Sequence, residues 1–161
     1  MNAGRAFVAG MLGGALVSLL LWSAQGGFAV PVSLAVFFGT LVGLEPFATS
    51  TAIVGQAMFL ALAGAIGVLY AWGFERLTHL ADVRVGAVFG IVHAAVAGLM
   101  LPVVSLVHPL IPETLAPVGP YMIGLGAEGV SAFIFLHLLY GGTVGSIYAP
   151  AISRRRMTTA M

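Results

Sequence analysis

The chain contains no cysteine and no lysine. Without cysteine it can form no disulfide, no thiolate zinc site, no iron–sulfur cluster and no cysteine nucleophile. Aspartate occurs once, as Asp82, in a short charged turn, which argues against a Ser–His–Asp arrangement. Charge of either sign is scarce. Only 7% of the residues are charged, against about 25% in a soluble domain, so there is too little charge to cover a water-exposed surface. The net charge of +1 gives no case for nucleic acid. What fills the chain instead is apolar: 60% of 161 residues are hydrophobic, the composition of an integral membrane protein.

Five apolar stretches stand out, at 6–24, 28–44, 52–74, 85–107 and 121–149. A helix needs about 20 residues to cross the hydrocarbon layer. Four stretches are long enough. The segment 28–44 is short, contains Pro31 and stops at Glu45-Pro46, so it can span, re-enter or lie in the interface. Charge favours four spans. Arginines favour the cytoplasmic side, and with four spans Arg5, Arg76, Arg84, Arg154, Arg155 and Arg156 all fall together. A fifth span would place at least Arg5 on the wrong side. The apolar run after Met1–Arg5 resembles a signal peptide but is long for one, and it reads as a retained first span. This predicts both termini in the cytoplasm.

One segment is used twice. Residues 64–71 read GAIGVLYA and 142–149 read GTVGSIYA. Gly64, Gly67, Tyr70, Ala71 and Arg76 recur 78 positions later as Gly142, Gly145, Tyr148, Ala149 and Arg154. A second pairing sets Gly10 against Gly90. The expected fold is therefore all-α: a single transmembrane domain over 1–161. It is a four-helix bundle of two tandem hairpins, 1–78 and 79–156, with the short apolar segment 28–44 as an extra on the outer side.

Lipid tails are as apolar as leucine, so membrane helices associate by close approach at small residues. Gly10, Gly14, Gly86, Gly90, Gly141 and Gly145 supply such seams, as do Gly39 and Gly43 on the short segment. Aromatic residues mark membrane interfaces: Trp22 and Tyr121 on the outer side, Tyr70, Trp72 and Tyr148 on the inner. Pro102 is expected to kink the fourth apolar stretch. The outer loop at 108–120 holds Pro109, Pro112, Pro117 and Pro120 and cannot be a regular helix.

Ionisable groups at membrane depth are functional candidates. His93 and His137 share faces with the glycines around them and are expected in helix–helix contacts. They serve either packing or, facing each other, haem b or quinone binding; no other metal site is expected. Glu128 is expected to be a polar group buried near the outer end of its helix. His79 and His108 are expected in solvated turns.

The last helix reads His137, two leucines, Tyr140, Gly141, three residues, Gly145, two residues, Tyr148. This H-x-x-Y-G-x-x-x-G-x-x-Y pattern resembles the closing helix of a family of small uncharacterised bacterial membrane proteins with four predicted helices. The resemblance covers about the last 25 residues. It implies four spans and a bacterial cytoplasmic membrane, and carries no activity. The first hairpin has Phe59 where His137 stands in the second.

The functional expectation is a non-enzymatic accessory or assembly subunit that packs against other membrane proteins or itself. The alternatives are a haem or quinone protein using His93 and His137, and a small-solute or ion pathway formed by an oligomer.

Overall fold

The computed structural model describes residues 1–24, 33–46 and 48–159, with 150–159 described by backbone alone. Pro31 and the start of the 28–44 stretch lie outside the described residues, as do the side chains of Arg154, Arg155 and Arg156.

The described chain is all-helical. Helix α1 runs Ala3–Ala24, α2 Leu34–Leu41, α3 Thr49–Gly73, α4 Val83–Val107 and α5 Gly126–Thr159. A π-helical turn, Phe74–Thr78, extends α3, and a 3₁₀ turn, Pro120–Leu125, precedes α5. Four segments are long and apolar enough to cross a membrane: Ala3–Ala24, Thr49–Thr78, Val83–Val107 and Pro120–Ala149. The fold class is thus the membrane four-helix arrangement with a short extra helix. At eight residues α2 reaches only about 12 Å, less than half of the hydrocarbon layer.

Asx caps start both first helices of the expected hairpins. The Asn2 side chain accepts from the Arg5 amide, and the Asp82 side chain accepts from the Val85 amide. The single aspartate is therefore a helix N-cap, satisfying a donor that the first turn leaves without an intrahelical partner. Pro102 lies within α4, which continues helical to Val107.

The chain forms two compact units. The first comprises Met1–Val17, Leu60–Ile91 and His137–Met161, and it contains all six arginines. Two glycine seams hold it. On the α1–α3 seam, a Cβ on Gly10 would strike the Ala63 carbonyl, and one on Gly67 would meet the Ala6 carbonyl and the Gly10 backbone. On the α4–α5 seam, a Cβ on Gly86 would strike the Gly141 carbonyl, and one on Gly145 the Asp82 carbonyl. Gly90 packs in the same way against His137 and Leu138. Both pairs run antiparallel. Shifting α1 by 76 positions (6 to 82, 10 to 86) and α3 by 78 (63 to 141, 67 to 145) carries one seam onto the other. The register pairs Gly10 with Gly86, not with Gly90, so α1 and α4 are offset by one helical turn from the sequence alignment. Gly14 is buried, and its neighbour Gly13 is covered by the Tyr140 ring.

The interior of this unit is aromatic. Tyr70, Phe74, Tyr140 and Tyr148 are buried, and Phe89 packs on Tyr70 and Phe74 at 5.6 and 4.9 Å. Tyr70 and Tyr148 are therefore core residues and not interfacial markers. The Tyr140 ring covers Gly13 and the Phe89 ring covers Gly73, and each tyrosine hydroxyl finds a partner inside the protein, which lets a polar tip stay away from the headgroups. Trp72 and Trp22, by contrast, are exposed.

The second unit comprises Ser18–Phe59 and Val92–Leu136 and contains no arginine. A third glycine seam joins α2 to α3: a Cβ on Gly55 would strike the Ala35 carbonyl, and one on Gly39 would crowd Thr51. Gly43 serves a different purpose. It has φ 83 and nothing within contact of its missing Cβ. Its amide bonds Thr40 O and the Leu44 amide bonds Gly39 O, the paired bonds of a Schellman C-terminus. Residues 108–119 are turns and coil, as the prolines require.

Candidate functional site

Three clusters of polar groups stand out among the described residues. In the first unit, the Tyr148 hydroxyl donates to Glu75 Oε1 at 2.5 Å and accepts from the Asn2 amide at 3.0 Å. The Met1 ammonium pairs with Glu75 Oε2 at 2.9 Å. Arg5 donates through Nε and Nη2 to the Ile147 carbonyl. Glu75 lies in the π-helical turn at the end of α3. Farther along, the Tyr140 hydroxyl donates to Ala63 O at 2.5 Å and Tyr70 to Phe89 O at 3.1 Å. These bonds cross from helix to helix and tie α1, α3, α4 and α5 together.

The second cluster surrounds His108. It is 3% exposed, so the expected solvated turn is corrected: the residue is a buried clasp. Nδ1 accepts from the Leu110 amide at 3.2 Å. That contact puts the ring proton on Nε2, which lies 3.1 Å from the Phe37 carbonyl and 3.3 Å from Thr40 Oγ1. The imidazole stacks on Phe37 with centroids 4.8 Å apart. Thr40, 1% exposed, donates to Val36 O and Phe37 O. One side chain thus fastens the turn after α4 to α2. Residue-level reading missed it because position 108 follows a long apolar run and precedes a proline, both of which look like an exit to water. The pairing with a segment 70 residues earlier leaves no local signal.

The third cluster lies between α1, α2 and α3 of the second unit. Gln56 Nε2 donates to Ser18 Oγ at 3.0 Å, and Ser18 Oγ lies 3.2 Å from Gln56 Oε1. The pair borders a cavity of about 250 Å³ whose walls include Leu19, Leu21, Trp22, Leu34 and Ala35.

The residues singled out from sequence fall in both units. His93 belongs to the second unit and His137 to the first, and both are half-buried. At position 137 it is the backbone that meets Gly90, while the side chain keeps partial exposure. Glu128 is exposed, which corrects its expected burial. The helix starts only at Gly126, so Glu128 occupies its first turn, where a carboxylate is favoured by the helix dipole. His79 is exposed, with φ 53 at the end of the π-helical turn. Among the described residues, no three His, Cys, Asp or Glu side chains assemble into a metal site.

Comparison with known protein families, curated proteins and solved structures gives no match to this chain.

Proposed function

We propose that the chain is a non-enzymatic subunit of a membrane assembly, held in the bilayer by four spans and covered on α4 and α5 by another protein or a second copy of itself. The observation that carries this reading is uneven burial. The spanning window of α1 is 39% buried within the protein, that of α3 22%, that of α4 17% and that of α5 only 11%. The interior supports it too. The aromatic core and the His108 clasp spend their polar groups on backbone and on each other, as a scaffold does. We further infer that the matched α1–α3 and α4–α5 seams are two copies of one hairpin, whose repeated feature is packing and not chemistry. The six arginines gathered in one unit fit a cytoplasmic-side placement in a bacterial inner membrane.

A photoreactive amino acid at Phe135, 57% exposed on α5, or at Ile53, 66% exposed on α3, tests the reading in native membranes. Protein adducts from position 135 and lipid adducts from position 53 are expected. Lipid adducts alone from both positions would remove the basis for a partner on α5.

A further inference from the structure

We propose that the cleft beside Ser18 and Gln56 binds the carbonyl group of an apolar, membrane-dissolved molecule. This goes beyond the subunit reading and does not depend on it.

The cleft exists because α2, capped by Ser33, begins at Leu34 alongside the last turns of α1 and the early turns of α3. Ser18 lies six residues before the end of α1 and Gln56 seven after the start of α3. At 1.5 Å per residue both are about 9–10 Å from their helix ends, within the adjoining part of the hydrocarbon layer. Most of the wall is apolar: Leu19, Leu21, Trp22, Leu34 and Ala35. The Ser33 oxygen, also at the wall, accepts from the Val36 amide as the cap of α2.

Gln56 sets the chemistry. A primary amide has two N–H donors. One is given to Ser18, and the second has no acceptor among the described residues. A donor left without a partner at this depth is costly. A carbonyl oxygen entering the cleft relieves that cost, because it accepts and offers no competing donor. About 250 Å³ is below the usual range of whole-ligand pockets, about 300–1,000 Å³. It suits the upper segment of one acyl chain or a single quinone ring. The shared chemistry is a carbonyl on an apolar body, available from an ester-linked lipid or from a quinone.

Trp22 in the cleft wall provides the reporter. The full chain carrying Trp72→Phe, which leaves Trp22 as the only tryptophan, is reconstituted in vesicles of ether-linked phosphatidylcholine, which contains no carbonyl. Quenching of Trp22 is then titrated with brominated ester lipid, with its brominated ether counterpart and with a short-chain quinone. Half-quenching by the ester lipid at about a three- to tenfold lower mole fraction than by the ether lipid is expected, the effect of one hydrogen bond. Gln56→Leu, of similar size, abolishes that preference, whereas Ser18→Ala, which leaves both amide donors in place, keeps it. A Gln56-dependent gain for the quinone alone assigns the carbonyl to a quinone, and for the ester lipid alone to membrane lipid. Equal quenching by ester and ether lipids, with quinone quenching unchanged in Gln56→Leu, overturns the proposal.

Discussion

Gly86 of α4 and Gly141 of α5 lie so close that a Cβ on either would strike the carbonyl oxygen of the other. The contact is reciprocal and involves backbone on both sides, so no side chain can swing away to relieve it. Gly86→Ala or Gly141→Ala should therefore destabilise the protein by about 1–3 kcal/mol. Gly142→Ala is the control, since its nearest neighbour would be a valine methyl at 3.4 Å. Thermal unfolding in detergent checks this; equal midpoints for all three variants would contradict the seam.

Gly10 occupies the same place on the α1–α3 seam as Gly86 on the α4–α5 seam. Gly10→Ala should cost a similar amount, and Gly10→Ala with Gly86→Ala should be close to additive, because different atoms crowd the two sites: Ala63 and Gly64 at Gly10, Gly141 and Gly145 at Gly86. A double-mutant cycle in the same unfolding assay measures it. Strong coupling would show that the seams act as one.

The three buried tyrosine hydroxyls are not equivalent. Tyr148 bonds a carboxylate and a backbone amide, whereas Tyr70 donates to the neutral Phe89 carbonyl. Hydrogen bonds to charged groups contribute about 1.5–3 kcal/mol and neutral ones about 1. Tyr148→Phe should accordingly lower stability more than Tyr70→Phe. The reverse order in chemical unfolding would argue against the Glu75 contact.

Removing the His108 clasp should be felt locally. His108→Ala leaves the Leu110 amide without its acceptor and removes the ring stacked on Phe37, at a cost of about 2–3 kcal/mol. His108→Phe, which keeps a stacking ring, should fall between that variant and the parent chain. Hydrogen exchange should quicken over 37–44 and 108–115 in both. Unchanged exchange in those segments would show that the clasp does not hold them.

The absence of cysteine makes topology easy to probe. Cysteines introduced at Ala3 and Thr158 should react with an impermeant reagent from the same side of the membrane, and one at Glu113 from the other. Opposite accessibility of positions 3 and 158 would rule out four spans with cytoplasmic termini.

His137→Gln should leave the visible spectrum of the purified protein unchanged. The backbones of α4 and α5 meet at Gly90 and His137, which leaves no gap for a flat macrocycle between those helices at that level. A Soret band lost on this substitution would restore the haem reading.

The sequence by itself determined the spans and their chemistry. Long apolar runs must become helices in a bilayer, because only internal hydrogen bonds can satisfy their backbone there. The small residues along those runs already marked where helices meet. Asp82, Glu45-Pro46 and the proline-rich 108–120 segment marked where they stop. Tertiary structure alone decided which side chains face inward. Tyr70 and Tyr148 entered the core because partners from other helices take their hydroxyls. His108 was buried by a helix 70 residues away, and Glu128 stayed exposed because α5 starts later than its apolar stretch. Hydropathy and spacing report what a residue prefers on average. Direction depends on which neighbour the fold brings, and that information is not local.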